Sequence, residues 1–506
     1  MRTSYWYADR PSRPAPAPPP AVPTEVDVAV VGGGITGLTA AVLLARAGRS
    51  VAVLEGRHLG GGTTGRSTAK VSLLQGTRLS SLAEQHPPAV LASYVEAHRE
   101  GQAWLVRFCE THGVGVQERA AVTYARGQQG ARSAHRELAL AREHGLDATW
   151  QQDLDLPFPT SGGARLEGQA QVDPVEVVEA LAAEAASRGV VLLEGTRVQR
   201  VAGRDPVRVS TSAGRIDAGA VVVATGMPIL DRGGYFGRMV PARSYTIALA
   251  TREPVVDAMY LSAEGGPSSR SLRDAVHPEH GPVVLVGGAG HTTGRDRPAT
   301  RLAQLRDWSA RAFPDAEELA AWSAQDYVPS RGLPFAGPVL PGSPHVQVAG
   351  GFAKWGMTGG VAAALAVTAR LTGGRVDWAD VMDPWSAREL RAAGSLVSDN
   401  AGVALELARG VVRTVRPGLE GLAGLAARGD DGGHVGLASS RPIARATDDE
   451  GSTVSSICTH LGGIVAWNDV ERSWDCPLHG SRFGPGGDVL EGPATCGLRR
   501  GPSARG

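Results

Sequence analysis

The stretch "VDVAVVGGGITGLTAAVLLARAGRSVAVLEG", residues 26–56, decides how the front of this chain folds. Val26 to Val31 is an apolar, β-branched run of strand character. Gly32, Gly34 and Gly37 follow in the order GxGxxG. An alanine- and leucine-rich helical segment runs to about Ala47, Gly48 stops it, and Ser50 to Leu54 forms a second strand ending at Glu55. That order of elements makes a cradle for a dinucleotide. Gly32 permits the tight turn, Gly34 lets backbone approach a pyrophosphate, and Gly37 lets helix pack on strand. The helix N-terminus presents unpaired N–H groups and partial positive charge to the phosphates. Glu55 is placed to accept hydrogen bonds from a ribose. GxGxxG alone also fits a plain glycine-rich turn; the flanking elements make it specific.

Further along, "HLGGGTTGRSTAKVS" (58–72) is a glycine- and hydroxyl-rich loop. "VDPVEVVEALAAEAASRGVVLLEGTRV" (172–198) reads as a helix capped by Asp173 with Pro174 at its first position, then a strand. "AGAVVVATG" (218–226) is a buried strand ending in a small-residue turn at Thr225 and Gly226, and "VQVAGGFAKWGMTGGVAAALAV" (346–367) is strand, glycine-rich turn and helix. An NAD site alone would need only the first cradle. The ordered set, over roughly residues 25 to 375, resembles the D-amino-acid oxidase and glycine oxidase family of FAD enzymes. The resemblance implies an α/β (α+β) FAD-binding Rossmann-like domain with an interleaved substrate domain, and a small-molecule substrate. It puts the FAD pyrophosphate at Gly32–Gly37, the adenosine ribose at Glu55 and the adenine near Val198. The flavin ring is then expected against the 63–71 loop, with Thr64 and Ala69, and against the 350–359 turn, with Gly351, Trp355, Gly356, Met357 and Thr358. Covalent and noncovalent FAD both stay open.

Only Lys70 and Lys354 are lysine among the 51 basic residues. An arginine bias this strong makes the surviving lysines suspects, because a compact ammonium of tunable pKa is not always exchangeable for a guanidinium. Both fall in segments expected beside the isoalloxazine, where an ammonium could stabilise anionic reduced flavin or polarise oxygen. A structural ion pair is the alternative for each. The pieces 75–170 and 230–330 are expected to build the substrate-facing layer, from strands such as "ARSYTIALA" (242–250), "VVLVGGAGHTTGR" (283–295) and "YVPSRGLPFAGP" (327–338). Tyr245, His291 and Arg331 could point into its pocket or simply end strands. The family often pairs an arginine with a substrate carboxylate, but no motif here fixes that arginine.

Formal charge is zero, with 51 basic and 51 acidic residues, which gives no reason to expect nucleic acid as partner. At 506 residues, several domains are expected. There is no run of eighteen apolar residues, and the start has neither an apolar signal core nor a twin arginine, so no membrane span and a cytoplasmic location are expected. Residues 1–24 read as a proline-rich N-terminal arm. Residues 376–429 read as a helical linker, with a short helix in "DVMDPWSAREL" and an amphipathic one in "SDNAGVALELARGVVRTVRPG".

A second redox centre is written near the end. In "CTHLGGIVAWNDVERSWDCPLHG" (458–480), Cys458-x-His460 is followed after fifteen residues by Cys476-x-x-His479. Two thiolates and two imidazoles split between loops suit a 2Fe–2S cluster with two cysteines on one iron and two histidines on the other. A Cys₂His₂ zinc site is the rival, although zinc modules usually pair Cys with Cys and His with His along the chain. The loops resemble the Rieske domain, an all-β unit here spanning about 430–500. Respiratory relatives clamp these loops with a disulfide where this chain has Gly463 and Leu478. The resemblance also implies that Ser481 donates to the cluster, while Phe483 stands where a tyrosine often does. Fewer donors to the sulfurs put the expected potential in the lower half of roughly −150 to +300 mV. Cys109 and Cys496 match no ligand position.

A flavin takes two electrons as a hydride and can release them singly, whereas a Rieske cluster carries one. The expected function is therefore an FAD dehydrogenase acting on a C–N bond of an amine or amino acid, with the cluster linking it to a one-electron acceptor or donor protein. The alternatives are an oxidase releasing peroxide with a structural Rieske unit, a Rieske oxygenase and a non-enzymatic redox sensor. An oxygenase needs a mononuclear iron, and the only close His pair outside the tail, His277 and His280, lies in an apparent loop.

Overall fold

The computed structural model describes residues 3–8, 10, 20–386, 403, 405–407, 409, 432–438, 441–446 and 452–501. Five parallel strands form the heart of the first sheet. Their order is Val346–Gly350, Arg215–Gly226, Glu25–Val31, Val51–Leu54 and Val191–Leu193. These strands are near-continuous apolar runs because helices and loops cover both faces; Ala29, Val30, Val53, Val221 and Val222 are wholly buried. Phe335–Pro338 closes one edge antiparallel, and the hairpin Val198–Gly203 with Val207–Thr211 lies beside Arg215–Gly226. Helix Ile35–Arg46 follows the first strand and packs against helix Gly356–Leu371. Asp173 caps helix Pro174–Ser187, its Oδ1 accepting from Val175 N at 2.7 Å.

The second sheet has nine strands. Along it stand Glu317–Pro329, Met239–Ala250, Gly281–Thr292, Arg270–His277, Met259–Ser262, Val116–Tyr124, Gly163–Val172 and Lys70–Val71, with Thr149–Gln151 beside Gly163–Val172. The stretch 327–338 is shared between sheets. Its first part ends the second sheet at Pro329, and Phe335–Pro338 then joins the first. Arg331 braces that crossover, donating to Pro334 O at 3.0 Å with its guanidinium over the Phe335 ring.

The N-terminus is anchored. Tyr5–Ala8 forms a helical turn whose Tyr5 and Trp6 are buried. Ser4 Oγ donates to Gly65 O at 2.6 Å and Trp6 Nε1 to Ser67 O at 2.8 Å, so the arm pins the 58–72 loop. Of the expected linker, Asp377–Met382 is a 3-10 turn, and residues 403, 405–407 and 409 are helical. The rest of 387–431 lies outside the described residues.

The last unit is two small antiparallel sheets. Gly433–Ala438, Arg441–Ala446 and Thr453–Ser455 form one; Ala466–Asn468, Ser473–Asp475, Arg482–Phe483 and Val489–Glu491 form the other. Its core gathers Val454, Trp474 and Phe483 around Cys458 and Cys476. No helix among the described residues is long and apolar enough to cross a membrane.

Candidate FAD cavity and iron–sulfur centre

A cavity with about 1320 Å³ of empty space, counting solvent at its mouth, opens above the carboxyl ends of the parallel strands. Gly32, Gly34, Glu55, Thr64, Val198, Thr225, Gly226, Gly356, Met357 and Lys354 line it. The turn is built as the sequence requires. Gly32 has φ +109°, and a Cβ there would lie 2.5 Å from Ala224 O. A Cβ on Gly37 would lie 1.9 Å from Gly32 O, so only glycine lets the helix start this close to the strand. Glu55 ties the cradle together by accepting from Gly33 N and Arg57 N, each at 2.8 Å. Thr64 Oγ1 accepts from Ile35 N at 3.1 Å. The N-termini of helices Ile35–Arg46 and Gly356–Leu371 both reach the cavity, and their partial positive charges suit an anionic pyrophosphate and a reduced flavin.

Lys354 lines this cavity, and Lys70 does not. Lys354 has its accessible surface on the open cavity, enclosed by the protein around it, and Ala353 and Lys354 both have positive φ, 49° and 77°. Non-glycine residues hold that conformation only where surroundings impose it. Asp326 supplies part of the restraint by accepting from Lys354 N, and Ala353 N donates to Tyr327 O at 3.2 Å. Desolvation by the surrounding protein pulls the Lys354 ammonium below its ordinary pKa, with Asp326 opposing, and pushes the Asp326 carboxyl up. Lys70 sits in the second sheet with Nζ donating to Tyr260 O and Ser271 Oγ, both at 2.7 Å, and burial drives its pKa well down. Ala69, Gly351, Trp355 and Thr358 stand behind the lining: Ala69 and Thr358 are buried, and Trp355 precedes the helix that presents Gly356 and Met357. Tyr245 and His291 stack with ring centroids 5.6 Å apart, outside the cavity lining, and burial raises the pKa of the Tyr245 phenol. His277 Nδ1 accepts from the N–H groups of Glu279 and His280 and so caps a turn.

The four ligand candidates meet at one end of the last unit. The two loops repeat one geometry: Cys458 N donates to Gly463 O at 2.8 Å, and Cys476 N donates to Ser481 O at 2.8 Å. The rings of His460 and His479 lie 5.2 Å apart at 85°. The Cys458 and Cys476 side chains lie within hydrogen-bonding reach of one another, which places the two sulfurs side by side as ligands of one iron require. Burial lowers the pKa of both imidazoles, with Asp231 opposing at His460 and His479 brought down to about 4, which favours the neutral ring that a metal needs. His479 Nδ1 is buried with no hydrogen-bond partner among the described residues, which fits a nitrogen that ligates iron. No group of three His, Cys, Asp or Glu converges as on a single ion among the described residues. The donor set fits a 2Fe–2S cluster. A Cβ on Gly463 would fall 2.7 Å from Leu478, so the two positions that respiratory relatives bridge are also neighbours here. Cys109 is buried, its thiol pushed up to about 12, and Cys496 is exposed.

What sequence reading missed is how the two centres join. Phe236, from the flavin half, packs edge-on against both cluster histidines, at 5.5 and 5.1 Å. His460 Nε2 hydrogen-bonds Asp231 Oδ1 at 3.0 Å. Leu490, Glu491, Gly492, Ala494 and Thr495 of the last unit line the dinucleotide cavity itself. Behind that wall, Ala494 N donates to Ser481 Oγ at 3.0 Å, and Ser481 hydrogen-bonds Cys458. Gln325, also in the cavity wall, donates to Gly480 O at 2.8 Å, one residue from His479. Glu491 crosses the junction to Arg243 at 3.2 Å, and inside the last unit Arg482 holds both Glu491 and Asp475, each at 3.0 Å.

The cavity and the split ligand set define a flavoenzyme carrying an iron–sulfur unit. Residues 27–370 match the family described as "FAD dependent oxidoreductase", and residues 436–501 match "Rieske [2Fe-2S] domain". The chain belongs to the FAD dependent oxidoreductase family and carries a C-terminal Rieske domain. It is 29% identical to the putative Rieske 2Fe-2S iron-sulfur protein YhfW of Bacillus subtilis (strain 168), across 98% of this chain and 97% of that one. It is 25% identical to the glycine oxidase of Geobacillus kaustophilus (strain HTA426), across 62% of this chain and 84% of that one. Two solved structures share the fold. A G. kaustophilus glycine oxidase has a TM-score of 0.61 at 22% identity, covering 72% of this chain and 99% of its own. An L-proline dehydrogenase from P. horikoshii has 0.60 at 19%, covering 73% and 99%. FAD and a Rieske-type 2Fe–2S cluster are the cofactors of this oxidoreductase.

Proposed function

We propose that this enzyme dehydrogenates a C–N bond of an amine or amino acid and passes the electrons singly, through its cluster, to an external one-electron acceptor protein. The observation that carries this reading is the 490–495 segment, which walls the FAD cavity on one side and, through Ala494 and Ser481, touches the cluster ligand Cys458 on the other. FAD, when bound, supplies two-electron hydride acceptance, and the cluster supplies one-electron transfer. The chain's own residues do the rest. Two helix N-termini and Lys354 bring positive charge to a cavity whose lining also holds Glu55, Asp326 and Glu491; Asp326 holds the Lys354 turn; Gln325 ties the wall to the loop bearing His479. Asp231 and Phe236 cover the histidine edge and fix the imidazoles from the flavin side. The names glycine oxidase and L-proline dehydrogenase among the relatives support an amine or amino-acid substrate.

The test is anaerobic flavin bleaching against a panel of amines and amino acids, with the cluster followed by paramagnetic resonance. Bleaching should be followed by the signal of the reduced cluster. A substrate that bleaches the flavin while the cluster stays oxidised indefinitely would sink the proposal. The second reading, a peroxide-releasing oxidase with a structural Rieske unit, is favoured by the same wall, since a purely structural module could also close the cavity. Fast aerobic peroxide release that survives Cys476→Ser would select it. Lys354→Arg keeps the charge but not the compact ammonium; flavin potential and turnover within about twofold of wild type would remove Lys354 from the mechanism.

A further inference from the structure

We infer that the Rieske unit is a component of the FAD site, so that FAD binding and Rieske docking form one linked equilibrium. The inference rests on FAD occupying the cavity and not on any route for electrons.

The cavity has two walls of different origin. One is the dinucleotide cradle, with Gly32, Glu55 and Thr64; the other includes Leu490, Glu491, Gly492, Ala494 and Thr495. Moreover, side chains of the flavin half that face the cavity are held from behind by the Rieske unit. Arg197 Nη2 donates to Val489 O at 2.8 Å, Tyr327 Oη to Gly492 O at 3.1 Å, and Gln325 Nε2 to Gly480 O at 2.8 Å. Arg197, Tyr327 and Gln325 all line the cavity. A Cβ on Gly492 would lie 3.2 Å from Ile229, so backbone meets side chain directly at this seam.

The seam is dry. Arg243 is 1% exposed and Arg482 is 0% exposed, and both hold Glu491, itself part of the cavity wall. A module tethered only by its linker would keep such charges in water. Here, separating the halves would take from buried Arg243 its only carboxylate partner among these contacts, Glu491, leaving the neutral acceptors Ser323 and Gln325, and would take from the Tyr327 hydroxyl its acceptor Gly492 O. FAD in the cavity orders the residues that the Rieske backbone grips, and the Rieske backbone orders residues that FAD touches. Linkage makes the effect reciprocal: whatever factor docking adds to FAD affinity, FAD adds to docking. FAD must then enter before the 490–495 segment closes, or while it is open.

Two measurements test this. Thr495→Trp places an indole in the cavity from the Rieske side and leaves the cluster ligands and the flavin half untouched. FAD dissociation, read by flavin fluorescence, should rise about tenfold or more while the cluster's visible absorption and paramagnetic signal persist. In the wild-type full chain, stripping FAD should speed amide hydrogen exchange across residues 489–495, and adding FAD back should slow it. FAD held within about twofold of wild type by Thr495→Trp with its cluster intact would overturn the inference. So would exchange at 489–495 that ignores FAD, a result that stands even if the substituted chain does not fold.

Discussion

Arg482→Met would test the buried ion network inside the last unit that holds Glu491 in place to meet Arg243. Arg482 is wholly buried, donating from Nε to Asp475 Oδ1 at 3.0 Å, from Nη1 to Glu491 Oε2 at 3.0 Å and from Nη2 to Ser473 Oγ at 2.9 Å. Methionine keeps most of the apolar stem and deletes the charge. Glu491 would retain Arg243, but Asp475 would be left with only neutral donors, Asn468 and Ser473. Removing one partner of a buried ion pair costs about 3–5 kcal/mol. In a unit of this size each kcal/mol moves the melting midpoint by about 4–8 °C, so the Rieske transition should fall by about 10 °C or more. The assay is thermal loss of the cluster's visible circular dichroism, read separately from flavin fluorescence because two units need not melt together. The effect also has a pH signature. Burial pushes the Glu491 carboxyl up, but Arg482, Arg243, Arg57 and Arg66 outweigh it and bring it from 4.5 to about 2. A depressed carboxyl stabilises the fold above its unfolded value and loses that contribution as pH falls through the folded value. The gap between wild type and variant should therefore be full at neutral pH and narrow from pH 4.5 toward about 2. A midpoint within about 2 °C of wild type, or a gap indifferent to pH, would refute the reasoning.

Other substitutions probe the cradle, the cluster and the anchored N-terminus. Gly37→Ala must move helix from strand, because its Cβ would meet Gly32 O at 1.9 Å; overpacking of about 1–3 kcal/mol should weaken FAD binding roughly fivefold to a hundredfold. Unchanged FAD titration would contradict it. Ser481→Ala removes a hydrogen bond to Cys458 and should lower the cluster's midpoint potential, whereas Phe483→Tyr adds a hydroxyl and should raise it. The wild-type potential itself should fall below about +200 mV in a redox titration. Ser4→Ala with Trp6→Phe deletes two donors to the 58–72 loop, each worth about 1 kcal/mol. Protease cleavage within that loop should quicken and FAD affinity drop several-fold; equal cleavage rates would show that the arm does not hold the loop.

The sequence by itself determined the parts whose chemistry is local. GxGxxG followed by helix, strand and Glu55 lies within one βαβ stretch, and each Cys/His pair lies within one loop, so spacing along the chain already sets spacing in space. Tertiary structure decided what long-range register and docking control. Lys70 and Lys354 read alike from their motifs, yet pairing of Lys70 with Gln171 in the second sheet directs its ammonium to Tyr260 O, while the strained turn held by Asp326 leaves Lys354 in the cavity wall. Tyr245 and His291 occupy strands as expected, but neither lines the cavity, because a strand's alternation fixes two faces without saying what covers each. Most of all, nothing near Thr495 announces that it will meet a site begun at Gly32. That meeting depends on shape and charge complementarity between surfaces more than four hundred residues apart, which no local pattern encodes.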